Sequence, residues 1–164
     1  MRSGIGSAVL LLLVALVLAR PWEGLWRDEP PPRATALVTR VVDGDTVEVA
    51  LDGGEEDVRY IGVDTPETVK PETPVQCFGP QASAFNHRLV EGRRVRLVFG
   101  EERRDVYGRL LAYVYLDGRF VNAELLRRGL ARTLTIPPND RFADRFKRLE
   151  IAAARAGRGL WGAC

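Results

Sequence analysis

Ala36-Leu37-Val38-Thr39-Arg40-Val41-Val42-Asp43-Gly44-Asp45-Thr46-Val47-Glu48-Val49-Ala50-Leu51 decides the fold class. Both halves are rich in β-branched residues, which suit a pleated, half-buried surface. They read as two strands bent or interrupted at Asp43-Gly44, and Asp52-Gly53 is a hairpin signal just beyond. A third strand follows from about Val58 to Val63, and Val95–Phe99 alternates as a fourth. Leu111–Leu116, the turn Asp117-Gly118 and Arg119–Val121 make a second hairpin. Pro80 opens a helix over 81–91. Asn122 is placed to cap a short helix over 123–128 that stops at Gly129. Pro137-Pro138-Asn139-Asp140 breaks the chain and caps a last helix, where Phe142, Phe146, Leu149 and Ala153 recur at helical spacing as a core stripe and Gly157 and Gly159 end it. These elements predict a chain that is mainly β with α: a five-stranded, partly open barrel with about three helices packed outside. Residues 65–79, with Pro66, Pro71 and Pro74, form a loop long enough to expect a functional role.

The chain has 164 residues, room for one domain. The first residues do not belong to it. Arg2 precedes an uncharged stretch whose strictly apolar part, Ala8–Ala19, is 12 residues long. That suits the core of a signal peptide better than a membrane span, which needs about 20 residues. An uncleaved anchor is the alternative, and either places the working part outside the cytoplasm. Residues 20–33 carry four prolines and read as a linker, so the domain is expected over 34–164. A net charge of +2 does not by itself demand a polyanionic partner, although arginines are dense beyond Arg119, several of them on solvated helix faces. Cys77 and Cys164 are an even pair in an expected oxidising compartment. They are either bridged within the chain or are free or intermolecular thiols, and neither has zinc-site spacing. His87, the sole histidine, lies on an exposed helix face.

Two acidic clusters carry the chemistry: Asp43-Gly44-Asp45-Thr46, and Asp64-Thr65-Pro66-Glu67 with Arg59 just before it. Carboxylates suit a hard cation such as calcium, and the planar guanidinium suits a phosphate. Together they point to metal-assisted phosphodiester chemistry. An EF-hand is excluded, because the loop positions that need glycine and glutamate hold Glu48 and Gly54.

The order of motifs closely resembles the staphylococcal (micrococcal) nuclease family. The resemblance runs through Val42–Val47, Arg59, Val63–Thr68, Phe78–Phe85, Asp105–Val114, Val121-Asn122, Leu130-Ala131, Pro138-Asn139 and Gly159–Trp161. It implies a five-stranded oligonucleotide/oligosaccharide-binding (OB) barrel with three helices and calcium-dependent cleavage of DNA and RNA, preferably single-stranded, leaving 3′-phosphate ends. It also implies roles. Asp45 and Asp64 are the metal carboxylates, and Thr65 supplies a backbone carbonyl. Arg59 and Arg109 grip the phosphate, Glu67 positions or deprotonates water, Tyr107 binds a terminal phosphate, and Asp43 touches metal at most indirectly. Two departures stand out. The segment Thr133–Ile136 lacks two tyrosines found in the family's type member and is about one residue shorter, and the loop 69–76 differs in length with less lysine. A monomer is expected, with membrane contact only through an uncleaved N-terminal segment. The rival expectation is a non-catalytic OB-fold module that binds nucleic acid or another anion.

Overall fold

The computed structural model describes residues 32–68 and 74–164. The expected signal or anchor over 1–19 and nearly all of the linker over 20–33 lie outside the described residues. Eight strands run β1 (Arg33–Val41), β2 (Thr46–Leu51), β3 (Gly54–Tyr60), β4 (Gly62–Asp64), β5 (Arg94–Arg104), β6 (Leu110–Leu116), β7 (Arg119–Phe120) and β8 (Arg132–Leu134). The helices are α1 (Gly79–Val90), α2 (Val121–Arg127), α3 (Ala143–Arg155) and a four-residue α4 (Leu160–Ala163).

The main sheet has the order β3-β2-β1-β5-β6-β7. It closes more fully than the partly open barrel that the strand pattern alone suggests. β3 also pairs in parallel with β6, Val58 against Leu110, Arg59 against Leu111 and Tyr60 against Ala112, closing five strands into a barrel. This is the α+β OB barrel. Alternation explains it. In β2 and β3 the inward positions Val47, Val49, Val58 and Tyr60 are buried, while Glu48, Glu55 and Asp57 face out. The β1–β2 register shifts between Val38 and Arg40, a bulge of the kind that curves a strand around a barrel.

The third predicted strand breaks in two. The Ile61 N–H still donates to the Ala112 carbonyl (3.0 Å), and beyond it Gly62–Asp64 turns away as β4 to pair with β8, a two-stranded sheet that no sequence signal announced. Both partners are three residues long, too short for a periodic pattern.

Two predicted caps are corrected. Asn122 lies inside α2, fully buried. Its amide accepts from the Val114 N–H (2.9 Å) and donates to the Ile61 carbonyl (2.8 Å), spanning the barrel and the start of β4. Asn139 does not cap α3 either. Its side chain bridges the Glu102 carbonyl (2.9 Å) and N–H (3.1 Å), and α3 begins after Phe142 with no side-chain cap. A buried backbone group without a partner costs more than a frayed helix end, so these amides serve the sheet. The α3 stripe packs as predicted, with Phe146 and Ala153 buried and Phe142 and Leu149 packed against the core. Cys77 and Cys164 are bridged, their Cα atoms 6.1 Å apart.

Candidate active site

The β1–β2 bend builds the first half of the site. The Asp43 carboxylate accepts the Asp45 N–H (2.9 Å), an Asx turn that aims the Asp45 side chain inward. The α1 residue Asn86 anchors the bend by donating to the Asp43 carbonyl (3.0 Å), and the buried Tyr60 hydroxyl in turn donates to Asn86 (3.1 Å). Gly44 is needed for space. A Cβ there would fall 2.6 Å from the Thr65 hydroxyl oxygen. That close approach lets the Thr65 N–H (2.6 Å) and hydroxyl (2.9 Å) both donate to Asp45 Oδ2, joining the two acidic clusters directly.

Arg59 lies between the two predicted metal carboxylates. Nη1 is 2.6 Å from Asp45 Oδ1 and donates to the Val63 carbonyl (3.0 Å), while Nη2 is 2.9 Å from Asp64 Oδ1. Asp45 is only 3% exposed, whereas Asp64 is open to solvent. Burial, above all, pushes the Asp45 carboxyl up to about 7. Arg59 and the two Thr65 donors pull it down, and Asp43 adds to the rise. A carboxylate so short of solvation gains from added positive charge.

Arg109 comes from the other side of the barrel seam, on the β5–β6 turn. That turn is organised by Asp105, which sequence reasoning did not single out. Asp105 Oδ1 accepts the N–H groups of Tyr107 and Arg109 (both 3.0 Å). Oδ2 takes Arg109 Nε (2.8 Å) and lies 2.7 Å from Nη2. The signal was present in Asp105-Val106-Tyr107-Gly108, an Asx-turn composition. Tyr107, 81% exposed, stands at the tip, its ring 5.4 Å from the Arg109 guanidinium.

Glu67 sits at one stem of the long loop. Its N–H donates to the Gln76 side chain (3.0 Å), its carbonyl accepts the Gln76 N–H (2.9 Å), and its own carboxylate accepts the Thr68 N–H (2.9 Å). Gln76, also missed from sequence, thus ties the Glu67 stem to the other end of the loop, next to Cys77. His87 on α1 lies against Glu91, just past the end of the helix, and does not line the cleft.

Asp43, Asp45, Arg59, Asp64, Thr65, Glu67, Tyr107 and Arg109 all line one cleft of about 550 Å³. Every predicted site residue other than the cysteine pair is therefore brought together. For a metal, the donors are two carboxylates converging on one guanidinium plus the neutral oxygens of Thr65. Among the described residues no group of three or more His, Cys, Asp or Glu side chains is placed to hold an ion. An all-oxygen set with few charged ligands fits a hard cation that keeps water ligands, and it does not fit zinc. Beside the cleft an apolar hollow of about 290 Å³ includes Ile61, Val106, Leu111, Leu134 and Ile136.

The family described as "Staphylococcal nuclease homologue" matches residues 57–163. The thermonuclease of Staphylococcus intermedius is 40% identical over 164 residues, covering 96% of this chain and 97% of that protein. The thermonuclease of Staphylococcus hyicus is 43% identical over 127 residues, covering 77% and 75%. The endonuclease YncB of Bacillus subtilis is 45% identical over 124 residues, covering 74% of this chain and 59% of that protein. With this match over more than half its length and a barrel that gathers the expected side chains, the chain belongs to the staphylococcal nuclease family.

Proposed function

We propose that this chain is an extracytoplasmic, calcium-dependent nuclease that hydrolyses phosphodiester bonds of DNA and RNA with low sequence specificity, working as a monomer. The observation that carries this reading is the meeting of Arg59, Arg109, Glu67, Asp45 and Asp64 in one cleft. Asp45, Asp64 and Thr65 would hold the cation, which when bound offsets the charge that builds on the phosphate oxygens. Arg59 and Arg109 face the same charge from two directions with donors that stay protonated, and a donor of this kind is commonly worth roughly 3 kcal/mol of barrier. Glu67 orients the attacking water or accepts its proton. As water adds to phosphorus the bond to the 5′-oxygen breaks, that oxygen takes up a proton, and the phosphate stays on the 3′ end. Tyr107, exposed at the rim, would bind a terminal phosphate. The neighbouring hollow supports low specificity. Its apolar side chains can pack against the face of any base, a contact that carries no sequence code. The apolar segment Ala8–Ala19 supports export, with cleavage releasing the domain or retention leaving it on a membrane.

Purified protein incubated with single-stranded DNA and with RNA should cut both in calcium and neither in excess chelator. Arg59→Ala and Glu67→Gln should each lose 100-fold or more in kcat, on the order expected for such groups. Substrate left intact in calcium would overturn the nuclease reading. Retarded but uncut oligonucleotide would instead support a binding module.

A further inference from the structure

Arg132, the first residue of β8, stands directly across the ladder from Asp64. Directly opposed residues in an antiparallel pair project on the same face, with Cβ atoms about 5 Å apart. Arg132 therefore emerges beside a cleft carboxylate, and an arginine so placed normally pairs with it. It does not. Asp64 is engaged by Arg59, and the exposed Arg132 guanidinium lies over the Trp161 ring, 4.3 Å from its centroid. Among the described residues no carboxylate lies within ion-pair distance of Arg132, although Asp64 stands directly across the ladder from it.

The platform beneath Arg132 is built. α4, which carries Trp161, is held against the end of α2 by a backbone approach: the Leu160 N–H donates to the Gly129 carbonyl (2.9 Å). A Cβ on either Gly129 or Gly159 would collide with the opposing backbone, and both take positive φ. Three residues beyond Trp161, Cys164 is bridged to Cys77. Stacking occupies the face of the guanidinium and leaves its N–H edge in plane for an anion. A solvated surface arginine would account for the exposure alone. It would not account for a head withheld from a carboxylate across the ladder and restrained on a covalently tethered ring.

We propose that Arg132 is a phosphate-binding subsite for the nucleic-acid strand, contacting a phosphate that flanks the scissile one on the Asp64 side of the cleft. This rests on the nuclease reading for the position of the strand. The subsite adds no chemistry, so its effect grows with substrate length.

The test compares the parent with Arg132→Gln, which keeps a polar stem over Trp161, and Arg132→Ala, using a dinucleotide and a longer single-stranded oligonucleotide. The ratio of kcat/KM for long over short substrate should fall by about 5-fold, through KM, in both variants. Fluorescence anisotropy of the labelled oligonucleotide in chelator, across a salt series, should show the slope of log K against log[salt] reduced by about 0.7, as for one lost phosphate contact on a single strand. An unchanged ratio and slope in Arg132→Gln would overturn the proposal, as would a loss confined to kcat. If the parent fails to cut, the nuclease reading falls alone, and the salt slope still decides whether Arg132 holds a phosphate.

Discussion

At the scale of single residues, the site depends on side chains that never meet the substrate. Asp105 holds both the backbone of its turn and the guanidinium of Arg109. Asp105→Ala should therefore lower kcat about 10-fold while the thermal midpoint moves little, and Asp105→Asn, which keeps one acceptor, should recover part of that loss. Steady-state kinetics beside a melting curve separates the two effects. Asn122→Ala should do the opposite. It orphans the Val114 N–H and the Ile61 carbonyl inside the protein, at about 1–3 kcal/mol for each buried group left unpaired, and so should lower stability measured by urea unfolding. Charged residues in the named motifs were legible from sequence because their chemistry has few alternatives. Asn86, Asn122 and Asn139 were not. An asparagine on a helix or near a turn reads as a cap or an exposed position, and only the fold reveals that it bridges elements far apart in the chain.

At the scale of elements, the junction of β8 with α3 carries a titratable clamp. Glu150, buried on α3, accepts from the Thr133 N–H (3.0 Å), the Thr133 hydroxyl (2.8 Å) and Lys147 (2.7 Å). Burial alone would raise its pKa, but Lys147 and Thr133 outweigh that, and the net shift is downward from 4.5. A carboxyl with a lowered folded pKa stabilises the fold above its unfolded value and loses that contribution as pH falls through the folded one. Urea midpoints taken from pH 7 down to pH 3 should thus decline less steeply below about pH 4.5 in Glu150→Gln than in the parent, after allowing for the variant's lower starting stability. A parallel decline would show that Glu150 is not the group responsible. The strands of the barrel were legible because β-branched runs, hairpin turn signals and, at Val95–Phe99, alternation mark them. β4 and β8 were not, since three residues hold too little pattern, and their pairing joins segments about seventy residues apart.

At the scale of the whole molecule, the Cys77–Cys164 bridge spans 87 residues and links the loop stem near Glu67 to the segment bearing Trp161. Constraining so long a loop in the unfolded chain is worth about 2–5 kcal/mol. Reductant should lower the urea midpoint accordingly, and unreduced protein should weigh two hydrogens less than the thiol form. Alkylatable thiols in the native protein would refute the bridge. The barrel was legible through the family resemblance, whereas the β3–β6 pairing that closes it was not legible in the strands themselves, because a parallel pairing between distant strands leaves no local mark. That closure has a consequence for when the site forms. Arg59 and Arg109 lie on opposite sides of that seam, Arg59 beside Leu111 and Arg109 just before Leu110. Until the seam shuts, one guanidinium and the acidic residues are on one piece of chain and the second guanidinium is on another. The cleft is therefore assembled in a single event, the closing of the seam, and a chain short of that event has the parts of the site but not their arrangement.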